Sequence, residues 1–290
     1  MNATRAMDGK VCVLTGATSG IGQETAIALA AQGATLVLVC RDMARGEATV
    51  AAIRDRTGST AVTLRRADLA VQDDIRRVGT ELLAACPRID LLVNNAGIVN
   101  LRYETTADGV EAVFATNHLA YFLLTLVLLP RLRESAPSRI VNVASEAHRF
   151  GRIDFDDLGH AKRYKTMRVY GASKLANILF TYELARRLAG TGVTVNCVHP
   201  GAVATRLGQN NGRIATAMTK LLGVFFKTPA QGAATSVYVA TAPELAGVTG
   251  QYFASARQKT SSRASHDAAT ARRLWDVSAE LTHAGDLARV

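Results

Sequence analysis

VCVLTGATSGIGQETAIALAAQG, residues 11–33, decides the fold of this 290-residue chain. Its opening, 11–17, is a nearly continuous apolar run, as a strand covered on both faces requires. The run ends in a cluster containing Gly16, Gly20 and Gly22, and an alanine-rich helical segment covers 20–32. Glycines at a strand-to-helix turn permit a tight reversal and let backbone N–H groups approach a pyrophosphate at the positive end of the helix. The spacing is GxxxGxG rather than the GxGxxG of the best-known dinucleotide fingerprint. Because the loop closes the first strand and opens a helix, it predicts a dinucleotide site contacted by Gly16, Thr18, Ser19, Gly20, Ile21 and Gly22.

Outward from this unit the same alternation continues. Further strand candidates lie at 35–40, 61–66, 90–97, 139–145, 193–201 and 251–255, with helical segments at 43–57, 71–86, 105–133 and 170–190. The pattern predicts an α/β fold: a single doubly wound Rossmann domain over 1–290, with a parallel, about seven-stranded sheet and helices on both faces. Segments around 146–169 and 202–228 depart from the compact rhythm and follow strand C-terminal ends. Ligands bind at that edge of open α/β sheets, so both segments are assigned to a substrate pocket.

The formal net charge of +10 comes mostly from arginines spread along the chain, and no basic run is interleaved with aromatics. Nucleic acid is therefore not expected as a partner, whereas a phosphorylated small molecule suits the charge. Arg41 follows the second strand, where a carboxylate would bond a ribose 2′-hydroxyl and repel a 2′-phosphate. An arginine there can clamp the 2′-phosphate, which predicts NADP(H) in preference to NAD(H); Asp42 is read as the cap of the next helix. Cys12, Cys40, Cys86 and Cys197 show no CxxC pairing and are read as small core residues, with no metal site expected. The first residues carry no apolar signal region, and the greasy stretch Leu119–Pro130 is too short to cross a bilayer. A cytoplasmic protein without stable membrane insertion is expected.

In YGASKLANILF, 170–180, Tyr170 and Lys174 lie at i and i+4 and share one helix face. Taken alone, the pair is either an ordinary amphipathic helix start or a phenol tuned by a neighbouring ammonium. The wider constellation is TGATSGIG, NNAG at 94–97, Asn117 in TNHL, Ser145 in VNVAS, YGASK at 170–174 and HPGAVAT at 199–205. In order and spacing it resembles the short-chain dehydrogenase/reductase family, from Lys10 to about Leu281. More narrowly, CRD at 40–42, NHLAYFLLT, VNVASEAH, the long gap from Ser145 to Tyr170, and LW near the C-terminus resemble its retinol dehydrogenase-like branch.

The resemblance implies an NADP(H)-dependent carbonyl reductase or alcohol dehydrogenase. Tyr170 is then the general acid or base, with Lys174 and the oxidised nicotinamide favouring its phenolate. Lys174 also holds the nicotinamide ribose, Ser145 holds the substrate oxygen, and Asn117 anchors a water that links Lys174 to solvent. Asn94, Ala96 and Gly97 line the cofactor, Asp68 with Leu69 meets the adenine, and Pro200, Gly201, Val203 and Thr205 meet the nicotinamide end. The resemblance further implies a homodimer flanked by the 119–130 and Tyr170 helices. Its substrate is a small apolar ketone, aldehyde or secondary alcohol, retinoid, steroid or polyketide-like, under the greasy residues Leu221, Leu222, Val224, Phe225 and Phe226. Two departures stand out. Ala144 occupies a position where branch members often have a second serine, and Thr18 and Ser19 stand where many NADP-preferring members place a basic residue. His199 is read as shaping the turn over the nicotinamide, and Trp275 as a packing anchor. No metal spacing surrounds His148 or His160. A non-catalytic NADP-binding sensor or scaffold on the same fold is the alternative.

Overall fold

The glycine loop and its flanking segments set the pattern that the rest of the chain repeats in the computed structural model, which describes residues 5–201 and 228–290. The strands are β1 (Val11–Thr15), β2 (Thr35–Cys40), β3 (Val62–Arg66), β4 (Leu91–Asn94), β5 (Ser138–Val143), β6 (Val193–His199), β7 (Tyr252–Ala254) and β8 (Arg257–Lys259). They form one sheet in the order β3-β2-β1-β4-β5-β6-β7-β8, parallel except for the β7–β8 pair. The helices are α1 (Gly20–Ala31), α2 (Met43–Thr57), α3 (Gln72–Ala85), α4 (Ala112–Glu134), α5 (Thr166–Arg187), α6 (Pro229–Thr241) and α7 (Ala268–Leu281). Strand order reverses between β1 and β4, so the crevice of a doubly wound sheet opens beyond their C-terminal ends.

Side chains alternate across each strand, and here both faces are apolar. Val13, Val37, Leu92, Ile140 and Val195 pack under α3, α4 and α5, while Leu14, Leu36, Leu38, Val93, Val141 and Val198 meet α1 and α6. The four cysteines are buried, as expected of small core residues. Between β4, β5 and the helices above them runs a buried polar ladder. Asn94 Nδ2 donates to Thr125 Oγ1 and to Asn142 Oδ1, each at 2.9 Å, and Asn142 Nδ2 donates to Thr181 Oγ1 at 3.0 Å. A buried amide left unpaired is costly, so this ladder fixes register as well as adding stability.

Three boundaries differ from the sequence expectation. The helix expected from 105 begins at Ala112, because Asp108-Gly109 forms a turn with Gly109 at φ 74° and the Glu111 carboxylate caps the Val113 and Phe114 amides. The helix expected from 170 begins at Thr166, so Tyr170 sits in its second turn rather than at its head. An eighth strand exists because Ser255 and Ala256 both adopt positive φ, 53° and 52°, and reverse the chain into the charged, exposed edge Arg257–Lys259. The turn lacks the Asn-Gly signature that marks such hairpins in sequence.

α4 is 23 residues long and apolar enough to cross a membrane, longer than the greasy stretch 119–130 suggests, yet its most apolar part is wholly buried inside the protein. α7 packs against α4 and α5. Trp275 packs edge-on to Phe122 at 5.0 Å and stacks on Phe180 at 5.9 Å, with the Arg187 guanidinium 4.2 Å above its ring. Trp275 is thus the packing anchor the sequence suggested.

At the opposite edge of the sheet, Asp90 is 5% exposed and gathers three partners: the Val11 amide at 2.9 Å, Lys10 Nζ at 3.1 Å and the Arg88 guanidinium. Burial pushes its pKa up, but the bonds from Arg88, Val11 and Lys10 outweigh that, and the carboxyl lies below its ordinary value. A depressed carboxylate stabilises the fold above the ordinary carboxylate range and loses that contribution as pH falls through its folded pKa. Asp90→Asn is therefore expected to cost about 1.5–3 kcal/mol at pH 7, from its charged hydrogen bonds. The deficit should shrink as pH falls through the carboxylate range. Urea unfolding of both proteins at neutral and acid pH measures this, and a pH-independent deficit would refute it.

Candidate active site

The cleft is built around Thr15, the last residue of β1. Its hydroxyl accepts the amides of Asn95 at 3.0 Å and Ala96 at 3.1 Å. Asn95 Nδ2 returns to the carbonyls of Thr15 at 2.9 Å and Gly16 at 3.0 Å. These bonds lash the glycine loop to the end of β4. A Cβ on Gly16 (φ 69°) would stand 2.6 Å from Ala96 Cα, and one on Gly22 only 2.2 Å from the Gly16 carbonyl oxygen. Only glycine allows this approach. Ser19 precedes α1 in extended conformation with no side-chain cap, so the first-turn amides are left to an outside acceptor. An uncapped helix start against a bare backbone loop fits the pyrophosphate of a dinucleotide.

At the end of β2, Arg41 is exposed and pairs with Asp68 at 3.4 Å, so the two residues assigned to opposite ends of the adenosine touch each other here. Asp42 caps α2 as expected, accepting the Arg45 amide at 3.1 Å. Arg45 itself reaches back to the Thr18 carbonyl at 3.4 Å. It supplies the second cation beside the glycine loop that the sequence lacked at Thr18 and Ser19. Its place was not legible because it lies on the helix after β2 and reaches the loop only in three dimensions. Leu69 is 8% exposed and part of the core, which leaves only its backbone for a ligand. Asn94 is likewise committed to the polar ladder, and the neighbouring Asn95 holds the loop instead.

The reactive end lies between β4, β5, α4 and α5. Asn117 sits in a π-helical turn, Ala115–Leu119, inserted into α4. The wider turn frees the side chain to face sideways, and such turns often mark functional sites. Asn117 Oδ1 accepts the Ile98 amide at 2.7 Å, while Nδ2 donates to the Ile98 carbonyl and to Ser173 Oγ, both at 3.0 Å. Gly97 keeps the space open: a Cβ there would lie 3.3 Å from Asn117 Oδ1 and 3.6 Å from Lys174 Nζ. Tyr121, one helical turn after Asn117, donates its hydroxyl to the Ala96 carbonyl at 2.8 Å.

Lys174 is 3% exposed, and its Nζ donates to the Val143 carbonyl at 3.0 Å. It lies 5.7 Å from the Tyr170 ring centroid and 5.6 Å from that of Tyr121. Among the described residues, Val143 is the one hydrogen-bond acceptor on an ammonium that has three donors. The remaining donors suit a ribose diol. Burial lowers the Lys174 pKa to about 7. Burial likewise raises Tyr170 to about 12, opposed by a side-chain hydrogen bond with Ser145. The expectation had Lys174 together with the oxidised nicotinamide favouring the phenolate; without that positive charge, desolvation favours the phenol. Ser145 ends the β5 segment and begins a 3₁₀ turn, Glu146–Phe150, its Oγ accepting the Ala147 amide at 3.2 Å. His148 pins this turn from behind, with Nδ1 2.6 Å from the Ser145 carbonyl and Nε2 accepting the Ser262 amide at 2.9 Å. His199 Nδ1 accepts the Glu146 amide at 3.3 Å, so it shapes this edge as well. Pro200 and Gly201 follow at the end of β6, whereas Val203, Thr205 and the apolar residues Leu221–Phe226 lie outside the described residues.

Tyr170, Ser145, Lys174 and Asn117 are thus brought together from three elements, at the crevice that the glycine loop opens. The family model of the short chain dehydrogenases matches residues 10–214. The chain is 45% identical to retinol dehydrogenase 12 of Mus musculus over 273 residues, covering 94% of this chain and 86% of that protein. It is 46% identical to retinol dehydrogenase 13 of Homo sapiens over 279 residues, with 94% and 84% covered. A crystal structure of an uncharacterized protein from Mycobacterium paratuberculosis superposes with a TM-score of 0.77 at 35% identity, covering 95% of this chain and 94% of that one. The NADP active-site complex of Pseudomonas aeruginosa RhlG does so at 0.69 and 27%, covering 87% and 97%. The chain belongs to the short-chain dehydrogenase family, in its retinol dehydrogenase-like branch, and is an oxidoreductase of alcohol and carbonyl groups with a nicotinamide cofactor.

Proposed function

We propose that the protein is an NADP(H)-dependent carbonyl reductase, reversible as an alcohol dehydrogenase, acting on an apolar ketone, aldehyde or secondary alcohol. The observation that carries this reading is the Tyr170 phenol one helical turn from a buried Lys174, with Ser145 acting on its acidity. The nicotinamide, when bound, supplies or accepts the hydride and, oxidised, adds a positive charge. Everything else falls to the chain. Ser145 orients the carbonyl oxygen toward the Tyr170 hydroxyl, and the phenol, protonated at neutral pH, delivers its proton as that oxygen gains charge. Lys174 then faces a new phenolate and stabilises it, with Asn117 holding the backbone that a relaying water would need. In oxidation the same proton moves the other way.

Arg41 and Arg45, two cations flanking the adenosine end, support NADP(H) over NAD(H). Binding a 2′-phosphate would draw Arg41 away from Asp68, an exposed pair that costs little to open. Leu101, Tyr103, Phe150 and Met167 are exposed large apolar residues on the segments that follow β4, follow Ser145 and precede Tyr170. Together with the relatives named retinol dehydrogenases, they support an apolar substrate of retinoid-like shape. The reading includes a cytoplasmic location, which suits four free cysteines. It also includes the homodimer that the family resemblance implies, flanked by α4 and α5, on which Trp275 of α7 packs through Phe122 and Phe180.

NADPH consumption with a panel of apolar aldehydes and ketones tests the activity. Tyr170→Phe is expected to lower kcat by about 10²–10⁴-fold while NADPH still binds, the range for loss of general acid–base catalysis. Full turnover by that variant would refute the mechanism. Arg41→Ala and Arg45→Ala should each weaken NADPH binding by about 1.5–3 kcal/mol, roughly tenfold to a hundredfold, with little change for NADH. Titration of both cofactors measures this, and equal losses would refute the 2′-phosphate assignment.

A further inference from the structure

One polar group beside the reactive residues plays no part in the chemistry above. His118, next to Asn117 in the same π-helical turn, is 1% exposed, with Phe114 at 5.1 Å and Phe180 at 6.1 Å between ring centroids. Its Nδ1 lies 3.3 Å from Asn177 Oδ1 and its Nε2 lies 2.9 Å from Ser278 Oγ. Asn177 stands one turn beyond Ser173 and Lys174 on α5, and its Nδ2 donates to the Val143 carbonyl at 3.3 Å. That is the same carbonyl that takes Lys174 Nζ. Ser278 belongs to α7 and is fully buried.

These bonds also settle the tautomer. With its amide nitrogen on Val143, Asn177 offers His118 an oxygen, so the imidazole carries its proton on Nδ1 and accepts from the Ser278 hydroxyl at Nε2. Burial lowers the His118 pKa to about 4, so the ring stays neutral and is a connector rather than a charge. The π turn makes this arrangement possible: its widened backbone lets Asn117 face Ile98 and Ser173 while His118 faces Asn177 and α7.

We propose that His118 is a positioning residue, through which the C-terminal helix α7 holds the Asn117 turn and the Val143–Lys174 contact in register. The proposal rests on the oxidoreductase reading above. Ser278 of α7 closes the hydrogen-bond chain from α7 to α4, α5 and β5.

The test is Ser278→Ala, which removes the donor to Nε2 while leaving a small buried side chain. Its kcat for carbonyl reduction is expected to fall about tenfold, within the roughly hundredfold that a 1 Å misplacement can cost, with KM for NADPH changed by less than about twofold. Ser278→Thr, which keeps the hydroxyl, should restore most of kcat, and His118→Gln combined with Ser278→Ala should cost little more than either alone. If Ser278→Ala only lowers the melting temperature and keeps full kcat, while Tyr170→Phe is inactive, the inference fails and the proposed function stands. If the wild-type chain shows no nicotinamide-dependent turnover, the proposed function fails. Amide hydrogen exchange then decides the inference: Ser278→Ala should speed exchange across residues 112–119, and unchanged exchange there overturns it.

Discussion

A buried ammonium is the constraint to which the rest of this site answers. Lys174 sits almost wholly out of water, with its Nζ on the Val143 carbonyl, and burial draws its pKa toward neutrality. An ion so placed is tolerated only where the surrounding dipoles are fixed. The Val143 carbonyl is fixed by its place at the end of a central strand, and Asn177 shares it. Gly97 leaves the room that any side chain would fill, and Tyr121 steadies the strand-end carbonyl next to it. Move any of these and the ammonium loses either its partner or its access to the cleft.

Precision at this point descends from the sheet. β4 and β5 are locked in register by the Asn94–Asn142 bond, which extends to Thr125 on α4 and Thr181 on α5. The helices that carry Asn117 and Tyr170 are therefore indexed to the strands that carry Gly97 and Ser145. A purely apolar interface would pack as densely but would tolerate sliding; directional bonds between buried amides and hydroxyls do not. The π turn in α4 then rotates two adjacent polar residues toward two different neighbours. On the other side of the crevice, Thr15 and Asn95 do the same work for the glycine loop.

Much of this was legible in the linear chain. Apolar runs alternating with alanine-rich segments specify a doubly wound sheet, because strands covered on both faces are mostly apolar and admit a polar residue only where it finds a partner. The glycines at 16, 20 and 22 announce a backbone approach, and the order of Asn117, Ser145, Tyr170 and Lys174 announces the reactive group. What misled was local chemistry that outweighed periodicity. Asp108-Gly109 turned a helical pattern into a loop, Ser255-Ala256 made a hairpin without a recognisable turn sequence, and α5 gained a turn before Tyr170.

The sequence by itself determined the fold class and the nucleotide loop, since each depends on residue type and spacing along one element or its terminus, and its resemblance to a known family implied which side chains meet at the cleft. Tertiary structure alone decided the rest. It shifted Tyr170 toward the phenol, because desolvation depends on everything packed around the ring. It gave Asn94 to the polar ladder and the contact with the glycine loop to Asn95, because alternate residues at a strand end face opposite ways. It brought Arg45 to the glycine loop and placed α7 over α4 and α5, with Ser278 against His118, a contact between residues 160 positions apart. Such pairings follow from how finished helices pack, and no short stretch of sequence contains them.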